Sequence, residues 1–119
     1  MGLYYRKKPV VIQAFQMTEE RRRDNRDWPN WLNKAWNEEN TTPGAVYPSK
    51  YPNSDGTDEL EIVTLEGVHR VNFGDWIARG IRGELYPIKD EIFQATYDAV
   101  ADEEAEQEVL KPNADMANW

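Results

Sequence analysis

Residues 76–89 read WIARGIRGELYPIK, and the reading of this stretch decides both the fold and the first candidate site. Gly80 and Gly83 bracket Ile81 and Arg82 between two runs, WIAR and ELYPIK, that are rich in apolar and aromatic residues. Short runs of this kind around a glycine-containing turn predict a β-hairpin. Both glycines permit positive φ, so the turn can direct backbone N–H groups at one spot. Arg79 and Arg82 add planar, permanently charged forks suited to phosphate or carboxylate. Lys89 stands where the second run ends, beside the start of a short helix, and Tyr86 lies on the strand between, able to stack or hydrogen-bond. Two readings stay open. One is an ordinary hairpin whose arginines pair with Glu84, Asp75 or Asp90. The other is a cationic turn shaped to hold an anion.

Working outward, Asp90 is placed to cap a short helix, DEIFQATY, with Ile92, Phe93, Thr96 and Tyr97 as a narrow packing face. Upstream, LEIVTL (60–65) and VHRVNF (68–73) flank the two-residue turn Glu66-Gly67 and predict a second hairpin, and Gly74-Asp75 then turns the chain into WIAR. PVVIQAFQ (9–16) reads as a strand. Thr18 is an N-cap candidate followed by Glu19 and Glu20, although the arginine-rich run 19–27 suits either a short solvated helix or a loop. Trp28, Trp31, Leu32, Ala35 and Trp36 fall at helical spacing as one apolar stripe, which reads as core. Residues 40–58, dense in Pro, Gly, Asn, Ser and Asp, predict a long loop carrying Tyr47, Lys50 and Tyr51. The expected fold class is α+β. A small antiparallel sheet is packed by one main Trp-rich helix and a short C-terminal helix, in a single domain over residues 1–100. An acidic, disordered tail is expected over residues 101–119.

Charge sharpens that division. The chain of 119 residues carries −8. Residues 101–119 hold six acids and one base, giving −5, whereas residues 1–100 hold sixteen acids and thirteen bases, giving −3. An acidic chain is a poor binder of duplex nucleic acid, which is held mainly through phosphate neutralisation, but two or three local cations suffice for a small anion. No run of apolar residues is long enough to span a membrane and no signal-peptide segment follows the start, so a cytoplasmic protein is expected. Cysteine is absent, which excludes disulfides, zinc–thiolate sites and thiol nucleophiles and fits a reducing compartment.

No catalytic constellation stands out. His69 is the only histidine and lies mid-strand without an acidic or metal-ligand partner at suitable spacing. Gly80-Ile81-Arg82-Gly83 lacks the lysine and the strand-to-helix context of nucleotide-binding glycine loops. Ser49 and Ser54 both fall in the long loop, away from any base. The expectation is a protein that is not an enzyme, with no catalytic residues, no metal and no cofactor.

Three segments, YRKKPVVIQAFQ (5–16), LEIVTLEG (60–67) and GDWIARGIRGELYPIKDEIFQATYDAV (74–100), resemble a family of small proteins widespread in tailed bacteriophages and prophages. The pattern as it stands here is Tyr5-Arg6-Lys7-Lys8-Pro9-Val10, Gly74-Asp75-Trp76-Ile77, Gly80, Gly83-Glu84, Tyr86-Pro87, Lys89, Ile92-Phe93 and Thr96-Tyr97. It covers about half of the chain; residues 17–58 and the acidic tail lie outside it. The resemblance implies an accessory protein acting in the cytoplasm of an infected bacterium. More narrowly, it implies an anti-defence sponge that binds a cyclic nucleotide immune signal without cleaving it. Such a ligand needs a few cations and flat walls, for which Arg6, Lys7, Lys8, Arg79, Arg82 and Lys89, and Tyr5, Trp76 and Tyr86, are the candidates. A two-fold ligand further implies a homo-oligomer. The alternative is a protein–protein inhibitor or adaptor acting on a host protein through Trp28, Trp31, Trp36 or the tyrosine loop, which exposed tryptophans would favour.

Overall fold

The computed structural model describes residues 2–6, 8–39, 41–49 and 58–101. Lys7, Lys50, Tyr51, Ser54 and the segment 102–119 lie outside the described residues, and so does the expectation of a disordered tail. Along the chain come β1 (Gln13–Gln16), α1 (Glu19–Asp24), α2 (Asn30–Trp36), β2 (Val46–Pro48), β3 (Leu60–Thr64), β4 (Gly67–Val71), β5 (Trp76–Arg79), β6 (Leu85–Ile88) and α3 (Asp90–Thr96). The fold is α+β, as the patterning predicts. Its antiparallel strands form two three-stranded sheets, ordered β1-β5-β6 and β2-β3-β4, and β6 lies against β3 and β4.

The two sheets share one core because each strand alternates. In the first sheet, Phe15, Ile77 and Leu85 point inward; in the second, Val46, Leu60, Ile62 and Val71 do. Met17, Trp28, Leu32 and Ala35 complete the cluster, with Trp31 and Trp36 packed half-buried against it. Each fully buried Leu or Ile is worth roughly 1.5–3 kcal/mol relative to exposure, so Leu32, Leu60, Ile62 and Ile77 carry much of the stability. The expected stripe packs on the core, Trp31 and Trp36 only in part, but Trp28 precedes α2, which starts at Asn30 after the Pro29 cap. Trp28 still meets Trp36 edge to face at 5.6 Å.

Several local expectations shift, each for a physical reason. The first strand begins at Gln13 rather than at residue 9, because Gln13 pairs with Arg79 and β5 offers no partner beyond it. The proline-rich loop contains a strand: β2 pairs Val46 with Ile62, and Pro48 is tolerated because β2 is an edge. The turn of the second hairpin is Leu65-Glu66, one residue earlier than expected. Gly67, at φ +124°, instead opens β4 opposite Thr64, whose hydroxyl accepts from the Glu66 N–H and donates to the Gly67 carbonyl. Thr18 caps α1 as expected, accepting from the Arg21 N–H at 3.2 Å, so the run after it is a helix through Asp24. Asp90 does not cap α3. Lys89 occupies that position without a side-chain bond, and Asp90 is the first helical residue.

Candidate functional site

The hairpin at 76–88 closes through a three-residue loop, Ile81-Arg82-Gly83. The Gly83 N–H donates to the Gly80 carbonyl at 2.9 Å and the Gly80 N–H to the Glu84 carbonyl at 2.7 Å. Gly83 sits at φ +84°, the left-handed position this type of loop requires. Gly80 does not: its φ is ordinary, and it is needed for room instead. A Cβ at Gly80 would run into the Glu84 carboxylate, which folds back over the turn and accepts the Arg82 N–H at 2.9 Å. One N–H of the turn, that of Arg82, is therefore directed at an anion, and that anion is the chain's own Glu84, while the Gly80 and Gly83 N–H groups are spent on backbone carbonyls.

Arg79 ends β5 at the mouth of this turn. Its Nη1 donates to Gln13 Oε1 at 2.8 Å, and its Nη2 lies 3.9 Å from where a Cβ on Gly83 would sit. The holder is a neutral amide across the sheet, and among the described residues Arg79 forms no ion pair. The acids offered as partners by the ordinary-hairpin reading are otherwise engaged. Asp75 accepts the Asn72 N–H at 2.9 Å, and burial pushes its carboxyl up against the opposing pull of Lys89. Asp90 accepts from the Trp76 indole N–H at 2.8 Å and from Gln94, which together hold its carboxyl below the usual range. An arginine fixed by an amide keeps its charge available, whereas one fixed by a carboxylate is largely neutralised.

The structure gathers only some of the eight predicted binding residues. Arg79 and Arg82 share the turn end of the first sheet. The segment carrying Tyr5, Arg6 and Lys8 enters at that same end, since Gln13 lies opposite Arg79; all three side chains are exposed, Tyr5 at 92%. Lys89 is at the far end of β6, roughly 13 Å away at the usual rise per residue, and adjoins Asp75. Trp76 and Tyr86 face outward, away from the core side that Arg79 shares with Ile77, and α3 covers them. Trp76 stacks on Phe93 at 4.0 Å with rings 7° apart, Phe93 stacks on Tyr97 at 5.1 Å, and Tyr86 hydrogen-bonds Tyr97. These rings are the hydrophobic seat of α3 rather than an open wall beside the arginines.

That seat carries its own pH dependence. The Tyr86 phenol is pushed up to about 12, first by burial, then by its hydrogen bond with Tyr97 and by the Glu84 charge. With an unfolded value near ~10, the stability it contributes is complete below about pH 10 and is lost as pH rises through about 12. Urea unfolding measured between pH 9 and 12 is expected to show a steeper loss for the wild type than for Tyr86→Phe. Equal slopes would contradict the raised value of the half-buried phenol.

Of the two groups that set the electrostatics of the turn, Glu84 is among the acids the sequence offers as partners of its arginines, whereas Gln13 is not legible there. Gln13 reaches Arg79 only through pairing across 66 positions. For Glu84, the sequence does not show that its carboxylate folds back to accept the Arg82 backbone N–H. Among the described residues, no three His, Cys, Asp or Glu side chains are grouped to hold a metal, and no helix is long and apolar enough to cross a membrane. No family model matches the chain, and no curated protein or solved structure shows significant similarity to it.

Proposed function

We propose that this protein binds a small anionic ligand at the turn end of the first sheet and sequesters it without catalysis. The observation that carries the reading is Arg79: a guanidinium that is held at 2.8 Å by neutral Gln13, beside the Arg82 turn, and that forms no ion pair among the described residues. A phosphate oxygen suits such a fork and the adjacent backbone N–H. Arg6 and Lys8, on the segment that enters at the same end, supply further charge, and Tyr5 supplies a flat face for a base. Trp76 and Lys89 play no direct part in this version of the site, and Tyr86 acts by seating α3. A cyclic nucleotide, with two or more phosphates and bases, is the most specific candidate. The proposed setting is the cytoplasm of a phage-infected bacterium, and two-fold ligands favour a homo-oligomer.

The test is a thermal-shift screen of the protein against cyclic di- and trinucleotides, with chromatography of the ligand recovered from the bound fraction. A binder raises Tm in proportion to RT ln(1 + [L]/Kd), and the recovered nucleotide is expected to be unchanged. Altered nucleotide would make the protein an enzyme. No shift across the panel would remove the ligand reading in favour of an adaptor role. That second reading draws on Leu3, Tyr4 and Tyr5, each more than nine-tenths exposed, rather than on Trp28, which is buried.

A further inference from the structure

We infer that Glu84 is a built-in competitor for this anion site: its carboxylate occupies the place on the 80–83 turn that a ligand phosphate takes, and binding displaces it. The inference rests on the anion-binding reading above and adds the residue that sets its affinity and selectivity. Three observations point the same way. One Glu84 oxygen accepts the Arg82 N–H at 2.9 Å, a bond a phosphate oxygen would make in the same geometry. The carboxylate lies against Gly80, in room that exists only because residue 80 has no side chain. And Glu84 is exposed, so on release its charge returns to water, where it is well solvated.

The consequence is a threshold. An incoming anion must give the turn more than Glu84 already does, so a singly charged anion gains little at the Arg82 N–H by exchange. A ligand with two or more phosphate charges gains the second charge outright. Glu84 thereby discriminates against chloride, acetate and other abundant monoanions while leaving the site open to multiply charged phosphates.

The experiment is calorimetric titration of inorganic pyrophosphate into the full-length wild type, Glu84→Gln and Gly80→Ala, each first checked for folding by circular dichroism. The first variant removes the competing charge while keeping an acceptor oxygen. In the second, the new Cβ drives the carboxylate off the turn while leaving its charge in the chain, and only a flexible side-chain end has to move. Both are expected to bind pyrophosphate roughly tenfold more tightly than the wild type, on the scale of one charge-assisted hydrogen bond. In the wild type, acetate at matched ionic strength should compete weakly; in Glu84→Gln it should compete measurably better. If the wild type binds and neither variant binds more tightly, Glu84 is no competitor, although the site itself stands. If none of the three binds pyrophosphate, the site and the inference fall together.

Discussion

Glu59→Ala is expected to lower the unfolding free energy by about 3 kcal/mol. Glu59 precedes β3, is 7% exposed, and uses both carboxylate oxygens. Oε1 accepts from Arg70 Nη2 at 2.7 Å and Nε at 3.1 Å, and Oε2 accepts the Phe73 N–H at 2.9 Å. Its own carbonyl accepts the Ser49 N–H at 2.7 Å, so one residue ties the start of β3 to β4, to the turn after it and to the end of β2. Alanine leaves the Phe73 N–H without this acceptor and removes the one oxygen, Oε1, that accepts both Arg70 N–H groups. Because the Arg70 side chain is 39% exposed, water recovers part of the loss, which places the effect at the lower end for buried pairs. Glu59→Gln, which keeps an acceptor, should fall between. By contrast, Arg23→Ala and Arg26→Ala break exposed pairs with Glu19 and Asp24 and should each cost no more than about 0.5 kcal/mol. Urea unfolding at neutral pH reads all four; a Glu59→Ala loss below that of the exposed pairs would contradict the arrangement.

The second large effect concerns binding. Replacing Arg79 and Arg82 together by alanine is expected to weaken binding of the screened nucleotide by about a hundredfold or more, as two charge-assisted contacts are lost. The fold should survive, since Arg79 gives up its bond to Gln13 at the rim of the sheet, worth about 1 kcal/mol, and Arg82 is an exposed turn residue. Lys89→Ala and Trp76→Ala separate this account from a wider site. Lys89→Ala should leave affinity within about twofold, since it lies beyond the far end of β6. Trp76→Ala should destabilise α3, whose Phe93 stacks on the indole and whose Asp90 accepts its N–H, while the affinity of the folded fraction is retained. A ligand that needs Trp76 or Lys89 as much as the arginines would relocate the site.

Local signals and long-range pairing account for what could and could not be read from the chain. The 76–89 hairpin, the Thr18 cap and the α2 stripe are visible because they rest on spacings of one to eight residues. The division of the strands into two sheets depends on partners far apart: β1 pairs with β5, and three residues inside a proline-rich loop pair with β3. No periodicity in a three-residue strand announces it. The candidate site divides along the same line. That the turn carries arginines is local information; that Arg79 is fixed by Gln13 and that Trp76 spends its face on Phe93 is tertiary information. Residue type also misled in one place. Gly80 and Gly83 look equivalent in the sequence, yet Gly83 supplies a left-handed backbone and Gly80 supplies space for a carboxylate.

The most direct test of the central claim is an amide and guanidinium NMR titration of the wild-type protein with the cyclic nucleotide that gives the largest thermal shift. The account predicts the strongest perturbations at the Arg79 side chain and at the Gly80, Arg82 and Gly83 amides, with smaller ones along Tyr5, Arg6 and Lys8. Perturbations centred instead on Trp76, Phe93 and Tyr97, or on α2, with the turn amides unmoved, would contradict it.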